Sequence, residues 1–453
     1  METKINTADQ NFQVKTDRVV VFKDGYCMFV KKITGKLDMA GRIITETIPE
    51  AMVLGSFWVI PENGKLTSVI AKQQIISRKA RQETEKCLVF EFDSDMAGKN
   101  VEVNLIYFGP GLRWIPTYRI ALEDGEKCHL MMQAEILNEA EDLEGVPMDL
   151  VVGVPNFRFK ETISPLSLES SLRNTLRETA PQLESQMMSN VLISQRRGEV
   201  REGVQVQHPS SAVPALPSEL AGEGSQDLFL YKISKLSLRA GERAAIPLIS
   251  AETPFKHLYT WDVHLTHSNV DVLPGKGLHI SPVKLIRNEI WHQIELVNQT
   301  NVPWTTGAVL VMEGFLPLSQ ELLTYTSIGD VVQIPLSVAI DIRGTYTEEE
   351  IGRDTKAIRF DGYDYIRIMK RGTLTVTNYK KESIDIIITC DLGGNAEEAS
   401  LDGKITISDF QREDWSDFRG SPALTGHSTI EWKFQLAASE TRELTCDYYY
   451  YTR

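Results

Sequence analysis

Apolar and polar residues alternate along most of the chain, which is typical of strands with one buried and one exposed face. Around residue 432, for example, polar Glu431 and Lys433 alternate with apolar Trp432 and Phe434. Short turn sequences containing Gly or Asn separate such runs. The pattern predicts a mainly all-β protein made of several antiparallel β-sandwich or barrel-like units.

Two segments depart from this alternation. The polar run at residues 71–86 fits either a long strand or a short helix. Residues 160–226 are rich in Ser, Gln, Glu and Pro, and their second half has the composition of a linker. Within them Leu168, Leu172 and Leu176 recur at every fourth position, as in a short amphipathic helix. We expect a short helical or disordered insert; the alternative is a helix that docks a partner protein through these leucines.

A strand that ends in asparagine recurs along the chain. Apolar alternation ends at Asn138, Asn298 and Asn378, and a polar turn and a further apolar strand follow each of them. An Asn side chain at a strand end can bond to nearby backbone in an Asx turn. The sequence therefore predicts a recurring sandwich hairpin, and its irregular spacing disfavours a solenoid.

Length and strand spacing predict three domains. These are an N-terminal β unit at 1–107, a central β domain at 108–360 that the 160–226 insert interrupts, and a C-terminal β-sandwich at 361–453. The last has roughly six or seven short strands at the spacing of an immunoglobulin-like sandwich.

Charge and hydropathy narrow the expected partners. The chain has 48 basic and 62 acidic residues, a net charge of −14, which repels nucleic acid and anionic lipid, so no nucleic-acid partner is expected. The N-terminus lacks an apolar signal region, and no run of about 18 apolar residues occurs. The sequence predicts no transmembrane segment, a cytoplasmic location by default and a protein as partner.

Cysteine and tryptophan both have the distribution of core residues. The five cysteines are far apart and form no C-x-x-C pair, which predicts reduced, partly buried thiols rather than a disulfide framework. The seven tryptophans are spread over the predicted units, as core anchors would be: Trp58, Trp114, Trp261, Trp291, Trp304, Trp415 and Trp432.

Histidine is the one chemically suggestive cluster, because five of the eight histidines fall between residues 257 and 292. Neutral imidazoles can bind zinc or another transition metal, and the candidates are His264, His267, His279 and His292. His264 and His267 would face opposite sides of a strand, however, and the other two lie in other predicted elements. We expect exposed strand histidines, no bound metal and no cofactor.

A Trp-x-Pro-x-Tyr corner at Trp114, Pro116 and Tyr118 precedes Asn138 and its acidic turn. Further motifs follow in order: Arg239-Ala240-Gly241-Glu242, Asn298 with Trp304 and Gly307, and Trp432 with a closing Tyr-rich strand. This order resembles the mucoidy inhibitor A-like family of bacterial β-rich proteins of unknown function, over about 108–453 and more weakly over 18–69. Members of that family place a long coiled coil after the N-terminal unit, whereas residues 75–87 leave room for only a few turns. The resemblance implies a β-rich fold and transfers no catalytic residue.

Two functions follow from these observations. No G-x-S-x-G, H-E-x-x-H, G-x-G-x-x-G or complete P-loop motif occurs, which favours a non-catalytic β scaffold or protein-binding protein. The alternative is a hydrolase or carbohydrate-active enzyme whose site assembles only in three dimensions. A deep pocket with two convergent carboxylates or three histidine nitrogens would favour the enzyme.

Overall fold

The computed structural model describes residues 12–45, 52–78, 81–123, 126–153, 157–160, 162, 164, 166, 228–265, 288–360, 362–408 and 426–452, with backbone alone at 73–78, 81–86, 360, 363 and 408. Most of the 160–226 insert lies outside the described residues. So do five of the candidate site residues and one tryptophan: Leu168, Leu172, Leu176, His267, His279 and Trp415. The predictions made for them stay predictions.

The described residues are 72% strand and contain no α-helix, which confirms the all-β prediction. Residues 71–78 and 81–86 of the ambiguous run lie in two strands that pair with each other in antiparallel orientation. In chain order the strands are β1 (Gln13–Val21), β2 (Tyr26–Lys36), β3 (Arg42–Thr45), β4 (Trp58–Pro61), β5 (Leu66–Arg78), β6 (Arg81–Phe92), β7 (Asn100–Pro110), β8 (Leu112–Leu122), β9 (Lys127–Asn138), β10 (Leu143–Val152), β11 (Phe229–Leu238), β12 (Arg243–Leu265), β13 (Trp291–Val297), β14 (Gly307–Glu313), β15 (Leu316–Leu323), β16 (Val331–Val338), β17 (Ile342–Phe360), β18 (Tyr363–Asn378), β19 (Ile384–Leu392), β20 (Asn395–Ala399), β21 (Lys404–Ser408), β22 (His427–Leu436) and β23 (Thr441–Thr452).

The chain forms two compact units. Unit 1 comprises 1–117 and 132–248, and unit 2 comprises 118–131 and 249–453. The hairpin of β17 and β18 runs across the predicted boundary between residues 360 and 361. The three-domain division made from the sequence stays a prediction.

Unit 1 contains a six-stranded sheet in the order β11-β10-β1-β2-β7-β4 and a three-stranded sheet in the order β3-β6-β5. Strict alternation along β2 and β7 directs one side of each strand into the core, where Phe29, Ile33, Val103 and Leu105 are buried. Lys31 also faces inward, and its ammonium forms an ion pair with Glu141. In this sheet β4 is an edge strand.

A ten-stranded sheet has the order β15-β14-β8-β9-β12-β19-β22-β21, and in it β13 pairs with β12 and β16. Unit 2 contains this sheet except for the parts of β8, β9 and β12 that belong to unit 1, and it also contains a four-stranded sheet with the order β17-β18-β23-β20. The two sheets share one core. Trp261 and Trp432 come from the larger sheet, and Leu374, Leu444 and Tyr448 come from the smaller one. This is a sandwich of two sheets that bury apolar faces against each other.

The sheets are mixed rather than purely antiparallel. β1 pairs with β10, and β12 pairs with β19, in parallel. Alternation in a sequence shows which side of a strand is buried, and it carries no information on the direction of a distant partner. The antiparallel expectation therefore does not extend to these two pairs.

One four-stranded arrangement occurs three times in the described residues. In each copy the first strand runs up to an asparagine, the second strand pairs with the third, and the first pairs with the fourth. The copies are β9-β10-β11-β12, β13-β14-β15-β16 and β18-β19-β22-β23. Long connections of different length separate the second and third strands of two copies, which explains the irregular spacing in the sequence.

Candidate functional site

The asparagine that follows or ends the first strand of each copy is a buried structural corner. Asn378 is fully buried, and its side-chain Nδ2 donates hydrogen bonds to the carbonyl oxygens of Glu382 (2.9 Å) and Ala437 (3.0 Å). Its Oδ1 accepts a bond of 2.9 Å from the backbone N–H of Lys380. The chain passes from one sheet to the other here, so backbone groups lose their partners in the strand ladders. The Asn378 amide supplies hydrogen bonds to these groups instead.

The other two asparagines are also fully buried and make the same three kinds of bond. The partners of Asn138 are Glu141 O (2.7 Å), Leu238 O (2.9 Å) and Ala140 N (3.1 Å). The partners of Asn298 are Val302 O (3.0 Å), Thr326 O (3.1 Å) and Thr300 N (3.0 Å). The structure therefore places all three predicted motif residues in equivalent positions.

Each corner also bonds to the turn that leads into the fourth strand. The backbone N–H of each asparagine donates to the carbonyl of the acidic residue that ends this turn, at 3.1, 2.9 and 2.9 Å for Glu242, Asp330 and Glu440. The residue before each acidic one has a positive φ: 85° at Gly241, 82° at Gly329 and 58° at Ser439. The turn and the asparagine corner together form one structural module that occurs in all three copies.

The Trp-Pro-Tyr corner and Trp432 are core residues as well. Trp114, Pro116 and Tyr118 are buried on one side of β8, and the Trp114 indole N–H donates to the carbonyl of Val151 (3.2 Å). The Tyr118 hydroxyl donates to the carbonyl of Thr305 at 2.6 Å. The Trp432 indole N–H donates to the carbonyl of Ser400 (2.8 Å).

The described histidines do not assemble into a metal site. His264 lies on β12 and pairs with Asp391 at 2.9 Å. His257 and His292 share a hydrogen bond of 2.9 Å, and His292 stacks on Tyr259 with ring centroids 4.8 Å apart. Among the residues that the structure describes, no three His, Cys, Asp or Glu side chains converge in a way that could hold a metal ion.

Burial controls the charge of this histidine pair. It lowers the pKa of His292 from 6.5 to about 4, with smaller contributions from the nearby charges of His257 and Lys380. Burial and Lys380 also lower the pKa of His257. Both imidazoles are therefore neutral at pH 7, which allows one ring to donate the shared hydrogen bond and the other to accept it.

The surface feature that the fold does not explain is the edge strand β4. Trp58 is 63% exposed and Ile60 is 48% exposed, at alternate positions on the same face of the strand. The Trp58 indole N–H donates to the carbonyl of Gly55 (3.1 Å), which fixes the ring on the surface. Within the described residues β4 pairs on one side only, with β7.

An open groove of about 910 Å³ lies at the end of β4. Its lining includes Gln13, Thr34, Glu62, Asn63 and Glu102. The Asn63 side chain donates to the carbonyl of Asn100 (2.9 Å) and accepts from the backbone N–H of Glu102 (3.0 Å), so it fixes the rim. Glu62 accepts a hydrogen bond from the Asn104 side chain (2.5 Å), and Glu102 pairs with Lys32.

The sequence analysis does not predict this site. Its prediction that the tryptophans are buried in the cores is wrong for Trp58. Trp291 is also partly exposed, whereas Trp114, Trp261 and Trp304 are fully buried. On a strand at the edge of a sheet, alternation does not reveal which face meets water. A usable signal was present nevertheless: Trp58 and Ile60 alternate directly before Pro61 and the Asn63-Gly64 turn, and proline favours sheet edges.

No protein-family model matches the chain, and no curated protein is significantly similar to it. No helix in the described part of the chain has the length and apolar character that crossing a membrane requires.

Proposed function

We propose that this protein is a non-catalytic scaffold of several β units that binds an extended segment of a partner protein along strand β4. The observation that carries the proposal is the pair of apolar side chains on an edge strand. Trp58 and Ile60 stay in water although both could be buried in a core. Exposed apolar groups clustered beside an unpaired strand edge are typical of interaction surfaces.

Strand addition explains why an edge strand suits this role. The backbone N–H and C=O groups on the open side of β4 would bond to the partner backbone and supply affinity. Trp58 and Ile60 would contact alternate side chains of that segment and supply specificity. Tryptophan is enriched among residues that dominate binding energy, because its large ring buries much apolar area at little entropic cost.

Pro61 limits this edge to a short strand. Proline has no N–H to donate, and it interrupts the ladder that a second copy of the chain would need for self-association. The open edge is therefore short enough for a peptide-sized contact without inviting uncontrolled pairing.

The groove beyond Pro61 specifies the charge of the partner segment. Its lining contributes the carboxylates of Glu62 and Glu102, and Lys32 pairs with only the second of them. A lysine or arginine next to the apolar positions of the segment, at the end that lies beside Glu62, would meet the Glu62 carboxylate. We infer that the preferred segment has apolar residues at alternate positions next to a basic residue.

The alternative, a hydrolase or carbohydrate-active enzyme, has one observation in its favour. Glu62 and Glu102 lie in one groove near an exposed tryptophan, and aromatic rings stack on sugars. Glu102, however, already forms an ion pair with Lys32, and both carboxylates line a groove that is open to solvent. A catalytic acid needs a protected environment that keeps it protonated near neutral pH.

Selection from a phage-displayed library of random linear peptides tests the proposal. We expect enriched peptides to carry alternating apolar residues with a basic residue. Their affinity should fall roughly tenfold or more for Trp58→Ala and stay unchanged for Phe315→Ala, a fully exposed aromatic in unit 2 that serves as the matched control. Enriched peptides that bind both variants equally would contradict the proposal. Release of reducing sugar from a glycan panel, lost in Glu62→Gln, would support the enzyme instead.

Three further expectations from the sequence belong to this proposal. They are an immunoglobulin-like topology for residues 361–453, membership of the mucoidy inhibitor A-like family and a cytoplasmic location. The shared core of β18, β19, β22 and β23 supports the first.

A further inference from the structure

The backbone polar groups of β4 alternate in direction along the strand. In an antiparallel pair, residues that point both N–H and C=O at the partner strand alternate with residues that point both groups away from it. β4 and β7 pair in this way without a shift in register, with Trp58 opposite Ile106 and Pro61 opposite Val103. The residues of β4 that face β7 are therefore all even-numbered or all odd-numbered.

The hydrogen bond just beyond Pro61 shows which set faces β7. The N–H of Glu62 donates to the carbonyl of Glu102 on β7, at 2.9 Å. Glu62 therefore faces β7, and by the alternation of the antiparallel ladder Ile60 and Trp58 face it as well.

The other end of the pairing gives the same assignment. Phe108 lies on β7 two residues after Ile106, the partner of Trp58. Its carbonyl accepts a hydrogen bond from the N–H of Val53 (2.8 Å), and its N–H donates to the hydroxyl oxygen of Ser56 (3.0 Å). Both backbone groups of Phe108 thus point at the segment that leads into β4, so the even-numbered residues of β7 are the ones that face this edge.

Two residues of β4 then have their backbone groups on the open side. Val59 presents an N–H and a C=O there, and Pro61 presents only a C=O because proline has no N–H. The nitrogen of Pro61 lies on this side too, so the proline removes no hydrogen bond between β4 and β7. Within β4 the open edge therefore offers one donor and two acceptors.

The side chains of β4 add a second pattern to this edge. Trp58, Ile60 and Glu62 are all exposed and occupy alternate positions, so they lie on one face of the strand. In an antiparallel partner, the residues beside these three side chains are not the ones whose N–H groups bond to Val59 and Pro61. Side-chain contacts and backbone bonds thus come from different residues of the partner.

We propose that the partner segment pairs with β4 in antiparallel orientation and carries the order basic-x-apolar-x-apolar from its N-terminal end. This rests on the binding role proposed for β4. The residue between the two apolar ones exchanges two hydrogen bonds with Val59, and the residue before the first apolar one donates to the Pro61 carbonyl. The apolar side chains lie beside Ile60 and Trp58, in that order, and the basic side chain lies opposite Glu62.

Antiparallel pairing suits an edge with so few polar groups. One partner residue satisfies both groups of Val59 through bonds perpendicular to the strands. In a parallel pair the same two groups need two partner residues and slanted bonds, which are slightly less stable. The parallel arrangement would also reverse the order of the segment to apolar-x-apolar-x-basic, because the basic residue must still reach Glu62.

Amide hydrogen exchange in the free protein tests the pattern of the edge without any peptide. We expect the Val59 amide to exchange roughly tenfold or more faster than the amides of Trp58 and Ile60, because only the latter two are bonded to β7. Equal or slower exchange at Val59 would place the wrong backbone groups on the open side and would overturn the inference.

N-methylation of single residues in a bound peptide tests the orientation, because it removes one N–H and leaves every side chain in place. The probe is the tightest-binding peptide from the library selection, synthesised with one N-methylated residue at a time and titrated against the full chain. We expect affinity to fall roughly tenfold or more for the residue between the two apolar ones and for the residue before the first of them. Methylation of either apolar residue is the matched control, since its N–H points away from β4.

A charge exchange tests the position of the basic residue. Replacing it by glutamate in the same peptide should lower affinity for the wild type by roughly two- to fivefold, and Glu62→Lys should restore the affinity. Glu321→Lys, which changes an exposed glutamate of unit 2 by the same charge, should not restore it. Equal affinities of the glutamate peptide for the two variants would show that the basic residue does not lie opposite Glu62 and would overturn the order proposed.

The peptide data distinguish a wrong orientation from a wrong binding surface. Peptides that lose affinity in Trp58→Ala but have the order apolar-x-apolar-x-basic, or that lose affinity when an apolar residue is N-methylated, would overturn the antiparallel arrangement and leave the binding role of β4 intact. Tolerance of N-methylation at every position would do the same. Peptides that bind Trp58→Ala as tightly as the wild type would contradict the proposed function itself, and the antiparallel order would fall with it.

Discussion

The asparagine corners and the edge strand β4 differ in opposite ways from the usual distribution of side chains: the corners bury a polar group, and β4 exposes apolar groups. At Asn298 a polar side chain is fully buried, and it is hydrogen-bonded to the surrounding backbone and to the Thr300 hydroxyl. At Trp58 and Ile60 apolar side chains are exposed, and the indole N–H bonds to Gly55. Hydrogen bonds within the fold explain why the asparagine is buried. No contact within the fold explains why the apolar side chains of β4 are exposed, and we therefore assign the binding role to β4.

The residues on which the predicted family resemblance rests, such as Trp114, Asn138 and Trp432, are core or corner residues that hold the fold together. None of the quoted motifs lies on β4. The predicted resemblance therefore concerns the scaffold and gives no information on what β4 binds.

The largest expected effect is on stability, at a corner. Asn298→Ala removes both donors and the acceptor from buried carbonyl and N–H partners, so the free energy of unfolding should fall by about 2–4 kcal/mol in urea titrations. Asn301→Ala changes an exposed asparagine of the same loop and should alter it by less than about 0.5 kcal/mol. Equal losses in the two variants would show that the corner is not a special structure.

Removing an apolar side chain of β4 should reduce peptide affinity and leave the stability nearly unchanged. In Trp58→Ala we expect stability to change by less than about 0.5 kcal/mol, since the ring is largely in water, and peptide affinity to drop by about 1.4–2 kcal/mol. Urea titration and fluorescence polarisation measure the two quantities on one preparation. A destabilised variant with normal affinity would reverse the comparison.

The histidine pair should produce a smaller, pH-dependent effect. Because the folded-state pKa of His292 is about 4, below the ordinary 6.5, the unfolded chain binds more protons between these values. Stability should therefore decrease as pH falls from 6.5 to 4, by about 1–2 kcal/mol once partial exposure is considered.

Urea titrations across this pH range should show a flatter profile for His292→Gln than for the wild type. His264→Gln, which alters an exposed histidine paired with Asp391, is the matched control. The same slope in the wild type and His292→Gln would contradict the assignment of this dependence to the pair.

The smallest effect should come from the turn beside the third corner. Ser439 has φ = 58°, where Gly241 and Gly329 occupy the equivalent positions. A serine is strained in this region, whereas glycine is not, although glycine also gains freedom in the unfolded chain. We expect Ser439→Gly to raise the free energy of unfolding by about 0.5 kcal/mol. A lower value than in the wild type would show that the side chain has a stabilising role there.

The sequence predicts features that depend on local pattern. Alternation indicates strands and an all-β fold, and the strand that ends in asparagine is visible in the letters themselves. Features that depend on distant partners are not predictable in this way. The parallel pairing of β12 with β19 and the exposure of Trp58 depend on segments far apart in the chain. Periodicity defines a buried face and does not specify what packs against it.

Amide hydrogen exchange on β4 tests the central claim most directly. With the selected peptide bound, we expect exchange to slow by roughly tenfold or more at the amides of residues 58–60 that point away from β7, because a second strand protects the open side of the ladder. Strands on the far side of the same sheet, such as β11, should be unaffected. Unchanged exchange on β4 with protection elsewhere would contradict the account and place the binding surface on another part of the molecule.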